Sequence, residues 1–450
     1  MKVKAMNNII NAIEQHRNLI LEAERYIWAN PETGFKEVKT SKYMAEQFEK
    51  LGYNLTYADG ITGFYTEIDT GIEGPTIMVL AELDSIICPA HKEADPETGA
   101  VHACGHNAQC AALLGVAGAL KNESVLAGLC GKIRLCAVPA EEGIEADYRS
   151  SLRERGKIKY LGGKSEFLAR GYFDGVDIAF MVHTSTGNSC SVKLGRDCGF
   201  ISKRVIYKGV AAHAACSAYT GKNALYAATA GLNAVNALRE TFKDDEKIRW
   251  HPIITHGGDM VNNIPDRVVI ESQVRAANFN ALEQENKKID RALIGAALSF
   301  GSNIEIIDEP GYAPLYTSKE LGLAAKEVFE KNFPEVSCVS YGGIGGGCTD
   351  MGDLSMLMPV MHPYIGGAIG HGHGDDYYIT NPELACVISA KWQVLLLRLL
   401  LENDALRAKE VIENYKPFFS SRDEFLRYKD SLRKRGDRIE YMGDGVVIKN

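Results

Sequence analysis

No stretch of this chain is long, apolar and free of charge. The most apolar segment, Leu384–Leu401, contains Lys391 and Arg398 and repeats with helical periodicity, which predicts a buried core helix rather than a membrane span. The opening MKVKAMNNIINAIEQHRN lacks the apolar stretch and small-residue cleavage site of a secretory signal. An excess of basic residues is also missing. Lys and Arg number 50 against 58 Asp and Glu, giving a net charge of -8, so nucleic acid and anionic membranes are excluded as expected partners. No GxSxG elbow occurs, and the glycine-rich GGIGGG (Gly342–Gly347) lacks the GK[ST] of a phosphate-binding loop. The 11 cysteines are odd in number and scattered, which argues against a disulfide framework and for a reducing compartment, hence a cytoplasmic protein. Most of them read as small core hydrophobes.

What is present is an ordinary soluble composition, 46% hydrophobic and 24% charged, in a chain of 450 residues, a length that suggests two domains. Helical patterns cover 8–29, 36–51 and Ala108–Leu120. Strand-like runs cover Thr76–Ala81, Lys132–Val138 and Asp177–Val182. Such alternation predicts an α/β domain with a mixed, largely parallel sheet flanked by helices. From residue 194 the order changes to strand Phe200–Tyr207, helix Asn223–Thr241, strands Arg249–Thr255 and Arg267–Arg275, helix Ala281–Phe300 and strand Asn303–Asp308. That βαββαβ order describes an inserted ferredoxin-like α+β domain. The expected division is a catalytic domain of 1–193 and 310–403, an insert of 194–309, and a charged, helical C-terminal extension of 404–450.

The residues capable of chemistry collect where predicted strands end, the place where open α/β sheets build their sites. IMVLAELDSI puts Glu82 and Asp84 past one strand. HACGHN puts Cys104 and His106 directly before a helix. Glu141 and Glu142 follow the strand in RLCAVPAEEG, His183 follows DIAFMV, and GHGHGDDYY supplies His371 and His373. Thiolate, imidazole and carboxylate together are the donor mixture of Zn²⁺ and similar divalent ions. Adjacent glutamates suit a division of labour in which one binds metal and the other takes a proton from metal-activated water. Singly, each element reads more readily as a core cysteine, a satisfied histidine or a solvated acidic pair. Their recurrence after successive strands carries the argument. A thiol nucleophile with His106 as its base would be poorly arranged two residues apart and would leave the glutamate pair without a task.

These motifs resemble the metallopeptidase family of aminoacylase, acetylornithine deacetylase and succinyl-diaminopimelate desuccinylase. The similarity is greatest to the amidohydrolase branch with indole-acetyl-amino-acid hydrolases, p-aminobenzoyl-glutamate hydrolase and β-alanyl dipeptidase-like proteins. It runs from about residue 20 to 390 and includes NPETGFKE, AELD, HACGHN, PAEEG, KGVAAHAA, GGDMVNNIPD, CTDMGDLS and HGHGDDYY. The resemblance implies two divalent ions per chain, Zn²⁺ first and Mn²⁺ or Co²⁺ as alternatives. Cys104 would bridge them, with His106 and His183 completing one site and Glu142 and His373 the other. Glu141 would be the general base and Asp84 the carboxylate orienting a ligand. In the insert, His213 would stabilise the oxyanion, and Asn262 and Arg275 would bind substrate carbonyl and carboxylate. The implied partner is a small amide carrying a carboxylate, and the implied assembly a homodimer through the insert.

The implied activity is hydrolysis of an N-acyl or aroyl amino acid or dipeptide-like substrate. A β-alanyl-type dipeptidase is the alternative, and a catalytically inactive binding protein with the same fold is the reading of another class. The sequence departs from the family in several places. CGHN followed by Gln109 replaces the commoner CGHD followed by His. Glu82 stands where distant relatives have a ligand histidine. The segment Ile144–Tyr160, with Arg149, Arg153, Arg155, Lys157 and Lys159, is longer than the family norm and reads either as a basic lining of the substrate entrance or as a solvated surface loop.

Overall fold

The computed structural model describes residues 2–443 and 445–449, with side chains from residue 6 onward. The chain divides into two compact units. One contains Met1–Arg196, Tyr316–Gly343 and Asp353–Arg422, and the other Asp197–Leu315, Ile344–Gly352 and Asp423–Asn450.

In the first unit a mixed sheet runs in the order Thr56–Tyr57, Phe64–Asp69, Lys132–Val138, Thr76–Glu82, Ile178–Phe180, Val360–Met361. The first two pairings are antiparallel and the remaining three parallel. Every residue of Thr76–Glu82 is buried. A parallel strand covered on both faces has no reason to alternate, which is why its sequence is a continuous apolar run. The helix His106–Leu120 is likewise buried all round, and its alanine- and glycine-rich composition lets neighbours approach from every side. Gly115, for instance, leaves the space into which the Ile20 side chain packs. The apolar segment Glu383–Leu401 is 83% buried inside the protein, and its Lys391 reaches Glu14 at 2.5 Å. A second sheet places Cys338–Tyr341, Cys190–Lys193, Tyr364–Ile369 and Tyr378–Ile379 side by side, with His183–Thr186 paired in parallel to Tyr364–Ile369.

The second unit holds an antiparallel sheet ordered Arg249–His256, Arg267–Ala276, Gly199–Lys208, Asn303–Pro310, Lys434–Asp437, with the helices Ala224–Ala237 and Phe279–Ser299. Asn303–Pro310 alternates strictly between half-buried and buried residues, the signature of a strand with one face on a core. Both helices start at asparagines whose side chains accept main-chain N–H groups: Asn223 from Leu225 and Tyr226, and Asn278 from Ala281.

Two sequence expectations need correction. The segment 8–29 is not one helix but part of two, Lys2–Gln15 and Arg17–Trp28, broken at His16, whose ring lies against Gly118. The segment 404–450 is not simply helical. It holds helices Leu406–Glu413 and Arg422–Ser431, then strands Lys434–Asp437, Ile439–Met442 and Gly445–Ile448. Lys434–Asp437 adds a fifth strand against Asn303–Pro310, where Lys208 binds both Glu305 and Asp437. Charge on a sheet edge is compatible with strand pairing.

Candidate active site

Strand ends of the first unit deliver the candidate residues into one cluster. Asp84 follows the strand Thr76–Glu82, Glu141 and Glu142 follow Lys132–Val138, and His183 opens His183–Thr186. Cys104 precedes the buried helix that His106 begins. Between them Gly105 has φ +90°, and a Cβ there would meet the Tyr377 hydroxyl at 2.5 Å and Thr184 at 2.9 Å, so only glycine fits. His373 also sits in left-handed space, at φ +66°, with its amide donating to the Ala103 carbonyl at 2.8 Å.

Cys104 is common to two groups of potential ligands. Donor atoms of Cys104, His106 and His183 lie within 4.8 Å of one another, and so do those of Cys104, Glu142 and His373. A third group, Glu82, His106 and Glu141, meets the same criterion. The Cys104 sulfur is 3.4 Å from His183 Nε2, and His373 Nε2 is 3.4 Å from Glu142 Oε1. His371 points elsewhere, exposed and paired with Asp376 at 2.8 Å.

The tautomers are set from behind. His106 Nδ1 lies 2.9 Å from the Asp84 carbonyl and His183 Nδ1 lies 2.7 Å from the Thr184 carbonyl. A carbonyl accepts only, so each Nδ1 carries a proton, and the neutral His183 presents its Nε2 lone pair to the cluster. Burial opposes a charge on His106, but Cys104 and Glu82 raise its pKa well above the ordinary range, with Nε2 3.1 Å from Glu82 Oε2, so a cation bound there would displace a proton. Asp84 fixes two further groups: its Oδ2 accepts the Glu142 amide at 2.8 Å, and its Oδ1 is 3.3 Å from His106 Nδ1.

The donor set fits a divalent cation on evidence internal to the fold. His106 Nε2 and Glu142 Oε1 are buried and make no well-aligned hydrogen bond, having ion-pair contacts to Glu82 Oε2 at 3.1 Å and His373 Nε2 at 3.4 Å respectively, so both keep capacity for a further partner. Burial and the neighbouring Glu142 carboxylate push the Cys104 thiol well above its ordinary range, so its thiolate requires added positive charge. Burial opposes ionisation of Glu142, but His373 and His106 outweigh it and hold the carboxyl at about 2. Burial together with His106 lowers His183 to about 4, keeping it neutral and available as a donor.

Sequence reasoning missed the shell beneath this cluster. Lys164 is fully buried and its Nζ meets Glu82 Oε1 at 2.5 Å. Burial alone would raise the Glu82 pKa, but Lys164 and then His106 reverse it and hold Glu82 ionised. Gln109, two residues past the CGHN segment, donates to Glu82 Oε2 at 3.1 Å. His362, also buried, lies with its ring centroid 5.3 Å from that of His183, tilted by 41°. Arg149 corrects the reading of the basic segment. It is buried, and its guanidinium donates to the carbonyls of Ala140, Leu161 and Glu142, clamping the turn that presents Glu141 and Glu142. That turn passes through Ala140 at φ +55°. Arg155, Lys157 and Lys159 are exposed, as a solvated loop would have them. Charge patterning carried no signal for a buried lysine or arginine.

His213, Asn262 and Arg275 belong to the second unit. His213 is exposed, and its Nδ1 accepts the amides of Ala215 and Cys216, each at 3.2 Å. This leaves Nε2 as the protonated, outward donor. The Asn262 carbonyl accepts the Ala214 amide at 3.0 Å, which brings the two loops together. The Arg275 guanidinium donates to Gln273 Oε1 at 3.1 and 2.8 Å and to the Gly346 carbonyl at 3.3 Å.

The chain and its fold are similar to those of known proteins. The chain is 28% identical to the Xaa-Arg dipeptidase of Mus musculus over 81% of this chain and 79% of that protein. It is 27% identical to the IAA-amino acid hydrolase ILR1-like 4 of Arabidopsis thaliana over 68% of this chain and 67% of that one. Its fold matches the YXEP protein of Bacillus subtilis, a dinuclear metal-binding peptidase, with TM-score 0.65 and 20% identity over 86% of this chain and 99% of that one. Residues 79–395 match the model of peptidase family M20/M25/M40, and the chain belongs to that family.

Proposed function

We propose that this protein is a two-metal amidohydrolase that cleaves the amide bond of a small N-acyl or aroyl amino acid or dipeptide-like substrate. The observation that carries the reading is the sharing of Cys104 between two groups of ligand atoms, with Glu141 beside them. Cys104, His106 and His183 would hold one cation, and Cys104, Glu142 and His373 the other. Thiolate and imidazole donors favour Zn²⁺, with Mn²⁺ or Co²⁺ as working alternatives. The bound cations would polarise the scissile carbonyl and make a water acidic enough to lose its proton near neutral pH.

The protein's own residues do the rest. Glu141 takes the proton from the attacking water and returns it to the leaving nitrogen. Asp84 and the Asp84 carbonyl hold His106 in the required tautomer. His213 offers its Nε2–H to the carbonyl oxygen as negative charge develops there. Arg275 and Asn262 bind the substrate's carboxylate and carbonyl. The working assembly is a homodimer through the second unit, whose edge strand Arg249–His256 exposes Ile253 and Ile254. A fully active monomer in solution would count against the dimer.

Dipeptidase action is the second reading, favoured by the similarity to the mouse dipeptidase. A panel of β-alanyl and arginine-ending dipeptides against acylated and aroylated amino acids separates the two. The decisive test is metal content of the purified protein beside Cys104→Ala. About two cations per chain, lost in the variant, support the reading. No metal after supply under reducing conditions overturns it.

A further inference from the structure

Away from the Cys104 cluster, two other cysteines meet. Cys190 and Cys338 are register partners on adjacent parallel strands, and their sulfurs are 3.0 Å apart. Neighbouring strands lie about 4.7–4.9 Å apart, inside the Cα separation of about 4.4–6.8 Å that a disulfide requires. The sulfurs are closer than the roughly 3.5–4.0 Å at which apolar atoms rest, so simple core packing does not describe them. Cys190 is fully buried, whereas Cys338 is partly exposed and open to an oxidant. Their hydrogen bond holds the Cys338 thiol below its usual range, and burial followed by the same bond raises Cys190. One cysteine is thus disposed to attack and the other to resolve.

The position matters as much as the contact. Six residues after Cys190, at Arg196, and five after Cys338, at Gly343, the chain leaves this unit for the other. The two connectors stay bonded up to those points, Leu194 N to the Tyr341 carbonyl at 2.8 Å and Arg196 N to the Gly343 carbonyl at 3.0 Å. They run so close that a Cβ on Gly195 would lie 2.0 Å from the Gly343 oxygen.

We propose that Cys190 and Cys338 are a site of reversible disulfide formation that clasps the two connectors together. With a small-molecule disulfide such as oxidised glutathione, the Cys338 thiolate attacks one glutathione sulfur and expels a glutathione thiolate. The Cys190 thiol gives its proton to that thiolate and attacks the Cys338 sulfur, expelling the second glutathione. Two protein thiols are oxidised, and one glutathione disulfide is reduced to two thiols. A reducing compartment keeps the clasp open.

The inference does not depend on the proposed hydrolase activity and is tested without it. The full chain is treated with oxidised glutathione, then analysed by thiol titration, peptide mass spectrometry and hydrogen exchange. Beyond the mixed disulfides formed at exposed cysteines such as Cys216, two further thiols should be lost, and they should appear as one cross-linked peptide joining Cys190 to Cys338. Amide exchange in 190–196 and 338–343 should slow and recover with dithiothreitol. In Cys190→Ala, Cys338 should stop at the mixed disulfide, and in Cys338→Ala, Cys190 should remain reduced. The proposal is overturned if exposed Cys216 is fully modified while Cys190 and Cys338 stay thiols, or if wild-type Cys338 stops at the mixed disulfide.

Discussion

Around Cys104, the histidine nitrogens that face away from the cluster are tied to main-chain carbonyls, and the carboxylates are buried. His213 in the second unit is exposed and takes its hydrogen bonds from its own loop. The first arrangement is preorganised: its geometry exists before any ligand arrives and is enforced by the packing behind it. The second keeps a donor oriented but places it on a surface. In the proposed reaction, proton transfer therefore belongs to the rigid region, and recognition and oxyanion stabilisation to the exposed one.

The largest effect expected from this contrast is at Glu141. Glu141→Gln should lower kcat by about 10²–10⁴ while metal content stays unchanged, as measured by steady-state kinetics beside elemental analysis. Full activity would end its assignment as base. Next comes the buried layer. Lys164→Met leaves Glu82 charged in the interior and should cost about 3–5 kcal/mol in urea unfolding. A much smaller loss would show that the layer is not rigid and would weaken the comparison itself.

Arg275→Lys probes the exposed region. It should raise KM by roughly tenfold, the order of one charge-assisted hydrogen bond, with little change in stability. A fall in kcat with unchanged KM would remove Arg275 from substrate binding. The smallest effect concerns Glu24, whose carboxyl burial raises to about 7 against the opposing pull of Arg25 and its bond from Asn107. A raised carboxyl pKa means that the folded state holds a proton the unfolded chain has already released. That stability is complete below about 4.5 and is lost as pH rises through 7. Glu24→Gln should therefore gain on the wild type between pH 5 and pH 8, as read from urea midpoints at both.

The same contrast explains what the sequence disclosed. Cys104, His106, Glu142 and His183 stood out because each follows an apolar run long enough to read as a strand or precedes one that reads as a helix, whereas His373 was singled out only by the family resemblance. His371 and His373 are two residues apart in one glycine-rich loop, and the residue pattern alone does not separate them; the resemblance points to His373, whose Nε2 lies 3.4 Å from Glu142 Oε1. Lys164 and Arg149 were hidden for a different reason. Patterning places charge on surfaces, and burial of a charge depends on a partner that may be distant in sequence, as Glu82 is from Lys164. The terminal strands were hidden because pairing along a sheet edge is satisfied by main-chain bonds and imposes little on side chains.

His373 shows what such a site costs its own fold. A non-glycine residue at φ +66° gives up roughly 1–2 kcal/mol relative to glycine at the same dihedral. A library screened only for heat resistance should therefore enrich His373→Gly, a protein sturdier than its parent and deprived of a proposed ligand. At this position durability and the proposed ligand role favour opposite residues.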